Sequence, residues 1–399
     1  MKKSLLAIAA LSTIAGAAQA QSSVTLFGAL DAGAYFVNGA TTSANNGTGL
    51  MSSTIVSSNW GLKGTEDLGG GTKANFYAES GINMRNGGLS QNVAEAGTTT
   101  LFDRGLYVGV EGKWGKLDLG NKINPLFASH GALLPVSGNS VGTNAAATLG
   151  FGNSTFTHNA VSYTLPTMAG FNAAVQYGSG QQASTVSGST QSNIGGTIAG
   201  SVLAASADYT IAGFTGRLAG QKRWAGSSTG VAISANPGAG MTSSSATYLG
   251  SGQTTWLVGG SYKAGAFTLG AGFVANQITA PLTGAHGKNP TLNNNGYEVG
   301  AGYQATPAVL VGLSWVGTTA GSNLINAQAR YAFSKRTQAY AQLGVAANGG
   351  GLGGANGAGT GNMFAIAGSN GSQIGTGASA LAAPNYTQVA FGLGLIHTF

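Results

Sequence analysis

The sequence predicts an all-β chain, an antiparallel up-and-down transmembrane β-barrel of about sixteen strands. Three observations carry this. Side chains alternate between apolar and polar with a period of two over many short segments. Charge is scarce, yet beyond the N-terminal segment no apolar stretch is long enough to cross a bilayer as a helix. Short turns alternate with long polar connections.

The first element is a leader. Lys2 and Lys3 precede the apolar run Leu5 to Ala18, and Ala18-Gln19-Ala20 forms a small-residue cleavage pattern. Residues 1–20 therefore read as a secretory signal, and 21–399 as one barrel domain. Losing Lys2 and Lys3 takes the formal charge from +7 to +5. The remaining basic residues are scattered rather than clustered with aromatics, which argues against a nucleic-acid partner. Only 7% of residues are charged, against roughly 25% in ordinary soluble domains. With 43% apolar residues and no cysteine, neither a charge-rich disordered chain nor a disulfide scaffold fits. A closed barrel is the remaining way to satisfy every backbone group in a membrane.

The strands follow in order. From Val24, the positions Val24, Leu26, Leu30, Ala32 and Phe36 alternate with Thr25, Asp31 and Tyr35. Trp60 and Leu62 lead through the turn Asp67 to Gly71 into Ala74, Phe76 and Ala78, a hairpin. Leu106, Val108 and Val110 turn at Gly112 to Gly115 into Leu117 and Leu119. Val161, Tyr163 and Leu165 pass Pro166 to Gly170 into Phe171, Ala173 and Val175. Further pairs flank Ala212-Gly213, Ala264-Gly265, Thr306-Pro307 and Lys335-Arg336. Between hairpins run long tracts at 39–53, 84–98, 123–156, 179–199, 225–250, 281–292 and 348–386. A soluble sandwich or solenoid would also alternate, but it carries charge on its wet face. Here one face stays free of charge along most strands, as lipid contact requires.

Val389, Phe391, Leu393 and Leu395 alternate up to the terminal Phe399. Such a C-terminus resembles the signal read by the barrel-assembly machinery. Several stretches then carry a fuller resemblance: Ser23 to Gly28, Trp60 to Gly71, Tyr107 to Val110, Asn159 to Tyr163, Phe333 to Thr337 and Gly394 to Phe399. The chain resembles the sixteen-stranded Gram-negative general porins of the β-proteobacterial branch. That resemblance implies a homotrimer in the outer membrane, in contact with its lipid and lipopolysaccharide. Each subunit would be a water-filled barrel for ions and small hydrophilic solutes, narrowed by an inward-folded third loop within Ile123 to Phe156. It implies no cofactor. Similar porins often place arginines where this sequence has Asn59, Asn121 and Phe156, so weak ion selectivity is expected.

By parity, Lys63, Lys73, Arg217, Arg223, Lys263 and Arg330 face inward, with Asp31, Glu79, Asp208 and Glu298 of opposite sign. Rings of such charges set which solutes pass. Glu79 is the first choice for the constriction, because similar porins carry an acid on the third strand. Lys63 and Glu66 read as turn-stabilising rim residues. Arg104 is a pore candidate by resemblance, although it shares the parity of Leu106 and Val108. His130 could line the eyelet or simply make a polar contact. Trp60, Trp256, Trp315, Tyr177, Tyr303, Tyr331 and Phe399 read as interfacial aromatics.

Catalysis finds no support. Gly138 to Gly142 and Gly226 to Gly230 fit G-x-S-x-G, and Gly349 to Gly354 fits G-x-G-x-x-G. With 69 glycines and no following helix, these are chance matches. Four scattered histidines offer no metal-ligand spacing. Two other readings remain open at this point: an exported β-rich adhesin or solenoid, and a barrel enzyme whose catalytic constellation is not legible.

Overall fold

The computed structural model describes residues 23–38, 47–89, 101–136, 139–140, 143–145, 149, 155–179, 201–224, 252–279, 291–319, 321, 323–347 and 387–399. The expected signal at 1–20 and most of the long tracts lie outside these residues. Sixteen strands form the staves. They are β1 (Ser23–Val37), β2 (Asn59–Gly69), β3 (Thr72–Gly81), β4 (Gly105–Gly112), β5 (Gly115–Ile123), β6 (Phe156–Thr164), β7 (Phe171–Gly178) and β8 (Val202–Ile211). The second half comprises β9 (Phe214–Arg223), β10 (Gly252–Ala264), β11 (Phe267–Thr279), β12 (Gly296–Thr306), β13 (Val309–Thr318), β14 (Asn323–Ala332), β15 (Thr337–Ala347) and β16 (Thr387–Thr398).

Each strand pairs antiparallel with its sequence neighbours, and the cylinder closes between β1 and β16, from Ala29↔Thr398 to Val37↔Ala390. Closure leaves no free sheet edge, the condition for a sheet in lipid. Two short strands, Gly47–Ser52 and Thr291–Asn293, reach into tracts that the sequence reads as loops. The reason is continuation of an existing ladder: Gly47–Ser52 pairs with Ala32 to Val37 above the point where β2 leaves β1.

The wall is apolar outside and polar inside. Leu106 and Val108 on β4 are 50% and 60% exposed, whereas Gln176, Gln221, Gln253, Asn276, Asn326 and Gln342 are buried inside. A water-soluble sheet has the reverse order.

Candidate functional site

The interior is built from the connection between β5 and β6. Asn124 caps the helix α1 (Pro125–Gly131): its Oδ1 accepts from the Leu126 N–H at 2.9 Å, and Pro125 occupies the first turn. The same side chain donates from Nδ2 to Gln221 Oε1 at 3.1 Å, tying the helix to the inner face of β9. At the other end of α1, His130 Nε2 lies 3.1 Å from Glu298 Oε2 on β12, with both side chains buried.

Beyond α1 the chain runs as a strap over glycines. A Cβ on Gly272 would lie 2.4 Å from Leu133, one on Gly312 2.4 Å from Val136, and one on Gly296 1.9 Å from Leu149. At Gly270 the obstacle is backbone, the Leu133 carbonyl oxygen at 2.3 Å. Only glycine lets the strap approach so closely. Leu126, Leu133 and Leu149 pack with the inward Leu257, Val274 and Val316, so this side of the barrel has a dry core. The third loop therefore lies inside, against β8 to β15.

A second inward fold sits beside β1. Asp31 is fully buried: its Oδ2 accepts from the Ile55 and Val56 N–H groups at 2.6 and 2.9 Å, and its Oδ1 from the Tyr340 hydroxyl at 2.7 Å. It pins residues 53–58 to the wall.

The wall β1 to β5, which the third loop does not cover among the described residues, is charged and aromatic. Arg104 Nε donates to Glu79 Oε1 at 2.7 Å, and the Tyr77 hydroxyl donates to Glu79 Oε2 at 2.6 Å. The Arg104 guanidinium also stands 5.6 Å from the Phe156 ring centre. Arg104 precedes the start of β4 at Gly105. The outward parity of Leu106 and Val108 does not bind it, and it turns to Glu79. Asn121 Nδ2 donates to the Asp103 carbonyl at 3.1 Å, and Asp103 Oδ1 accepts from the Gly81 N–H at 2.9 Å. Burial pushes the Asp103 carboxyl above the usual carboxylate range.

The remaining candidates lie apart. Arg217 pairs with Asp208 across β8 and β9 at 3.4 Å. Arg330 Nη2 donates to Gln328 Oε1 at 2.7 Å. Arg223 is partly buried near the long-loop end of β9, opposite Gln253. Lys263 and Lys73 are exposed, and Lys73 stands opposite Asp67 and Glu111. Lys63, expected at the rim, is exposed beside Phe27, 5.3 Å from its ring centre. Parity also marks residues that the sequence reading omitted. Lys116, Asp118 and Lys122 on β5 form a triad, with Lys116 Nζ 3.5 Å from Asp118 and Lys122 bonded to its other oxygen. Tyr107 and Phe27 are inward too, and the same alternation is their signal.

The family described as Gram-negative porin matches residues 7–351. The chain belongs to the Gram-negative porin family. An outer membrane porin protein of Bordetella pertussis is 35% identical over 190 residues, covering 44% of this chain and 48% of that protein. Outer membrane porin protein 32 of Delftia acidovorans is 37% identical over 183 residues, covering 44% and 49%. The porin thus spans about half the length of the curated relatives it matches. An anion-selective porin from Comamonas acidovorans has the same fold, with a TM-score of 0.71, 21% identity, and coverage of 95% of this chain and all of that one. These relatives are outer-membrane channels rather than enzymes, and the closed barrel with its apolar exterior fits that membrane.

Proposed function

We propose that this porin forms a water-filled channel in the Gram-negative outer membrane through which ions and small hydrophilic solutes diffuse passively. The observation that carries the reading is the division of the interior: one wall covered by the third loop, the opposite wall bearing charged side chains. Of the charges expected to line the pore, Asp31 and Glu298 are buried and Asp208 faces Arg217, while Lys63, Lys73 and Lys263 are exposed. That balance favours a weak anion preference. Planar-bilayer recordings test it. Stepwise ohmic conductance with a reversal potential slightly on the anion side is expected, and absence of steps overturns the reading.

The same proposal includes a homotrimer. Exposed Tyr and Trp side chains occur on β7, β8, β10, β12, β13 and β14, among them Tyr177, Tyr209, Trp256 and Tyr297. Among the described residues, β15, β16 and β1 to β5 expose Leu, Val, Ile and Phe along the strands, with Trp114 in the β4–β5 turn the exposed Trp of this arc. Interfacial rings with a polar tip suit a lipid boundary, so the face whose strands lack them supports contact between subunits. Outer-membrane lipid and lipopolysaccharide then surround the trimer, and the assembly machinery reads β16 with its terminal Phe399. An unheated sample migrating as a single subunit in detergent would remove the trimer.

A further inference from the structure

Three aromatic side chains on the uncovered wall form a continuous stack. Phe27 and Tyr77 have ring centres 5.2 Å apart, and Tyr77 and Tyr107 5.1 Å apart at an interplanar angle of 12°. Glycines make room for it. A Cβ on Gly61 would lie 2.5 Å from Phe27 Cζ, and one on Gly105 2.9 Å from Tyr77 Cε1. The rings can therefore lean across neighbouring strands and overlap. Both ends are cationic. Lys63 Nζ sits 5.3 Å from the Phe27 ring centre, and Lys116 and Lys122 Nζ sit 5.4 and 5.3 Å from that of Tyr107.

The charges around the stack are unequal in number. Glu79 is engaged by Arg104 and the Tyr77 hydroxyl, and Asp118 by Lys116 and Lys122. Four cations thus face two carboxylates. Lys63 is exposed and has no ion pair among the described residues. All three rings are partly buried, so part of each remains accessible.

We propose that this stack is a transit subsite for aromatic carboxylates, resting on the diffusion-channel reading above. The solute ring packs on the Phe27, Tyr77 and Tyr107 rings while its carboxylate pairs with Lys63 or with the lysines beside Tyr107. Aromatic packing supplies selection by ring type. The lysines select charge, and a shallow site on an open wall binds weakly enough to release.

The probe is benzoate, compared with cyclohexanecarboxylate, which has the same charge and similar size but no π face. Single-channel current in KCl is recorded first, then with each acid at rising concentration. Benzoate should depress the current saturably, with an apparent affinity about threefold to tenfold above that of cyclohexanecarboxylate, the scale of one aromatic contact. Phe27→Leu should erase that preference, measured against the variant's own KCl current, while Lys63→Gln should weaken both acids together. Equal action of the two acids on the wild-type porin overturns the subsite and leaves the channel intact. A benzoate preference that survives Phe27→Leu also overturns it. Absence of conductance in KCl alone defeats the channel reading, and the subsite with it.

Discussion

The two inner walls of this barrel solve opposite problems with the same alternation. On β9 to β13 most inward positions are Gly, Gln, Asn and small apolar residues, with Arg217, Arg223, Lys263 and Glu298 the charged ones, and the third loop lies down along this arc. On β1 to β5 the inward positions are Lys, Glu, Asp and aromatics, and among the described residues the third loop does not pack there. On a sixteen-strand cylinder these arcs face each other. Burying a charge under a loop costs several kcal/mol unless it is paired, so the loop settles where charge is sparse. Glu298, which the loop does bury, is hydrogen-bonded to the loop's own His130. One wall therefore fixes the loop, and the other supplies the field that a passing ion meets.

The largest test of this division is Glu298→Ala. It removes the carboxylate from a buried hydrogen bond to His130, and losing a hydrogen bond to a charged group costs about 1.5–3 kcal/mol. The loop should loosen on its wall, seen as a lower temperature for the gel-mobility shift between folded and unfolded barrel and as noisier open-channel current. A variant as stable and as quiet as the parent would show that the pair does not hold the loop. Next comes Gly270→Val. The new side chain would meet the Leu133 carbonyl, which is backbone and cannot turn aside, and overpacking of this kind costs about 1–3 kcal/mol. The strap should shift toward the opposite wall, so single-channel conductance should fall. An unchanged conductance would mean that the strap does not set the narrow part of the pore.

On the charged wall the matching change is Glu79→Gln. It leaves Arg104 without its carboxylate, and one uncompensated charge in a hydrated pore is worth about 1 kcal/mol at contact distance. The anion-to-cation permeability ratio should rise by about twofold to fivefold, read as a reversal-potential shift in a salt gradient. If the potential stays put, Glu79 and Arg104 do not face the ion path.

The contrast between walls was only half legible in the sequence. Period-two alternation and the short turns placed the strands, and parity put Asp31, Glu79 and Glu298 on the inner side. Parity cannot say which inner positions a loop will cover, because that depends on contacts between residues far apart in the chain, such as His130 with Glu298. Asp31 and Glu298 are buried for this reason, while Lys63 is not. Parity also lapses where a strand ends, which is how Arg104 reaches Glu79. The inward aromatics were equally visible as alternation. Their role emerged only once Gly61, opposite Phe27, and Gly105, opposite Glu79 and against the Tyr77 ring, were brought into register.

The smallest prediction touches neither wall and so sharpens the comparison. In the β8–β9 turn, Ala212 has φ 47° and Gly213 φ 82°, the pattern of a two-residue turn that favours Asn-Gly. A left-handed conformation costs an ordinary L residue about 1–2 kcal/mol, and Asn tolerates it better than Ala. Ala212→Asn should therefore stabilise the barrel by about 0.5–1 kcal/mol, raising the temperature of the gel-mobility shift. Conductance and reversal potential should stay at the parent's values, since the substitution lies at the short-turn rim and adds no charge. A change in either with this variant would place a determinant of permeation outside the two walls, and the division of labour between them would fail.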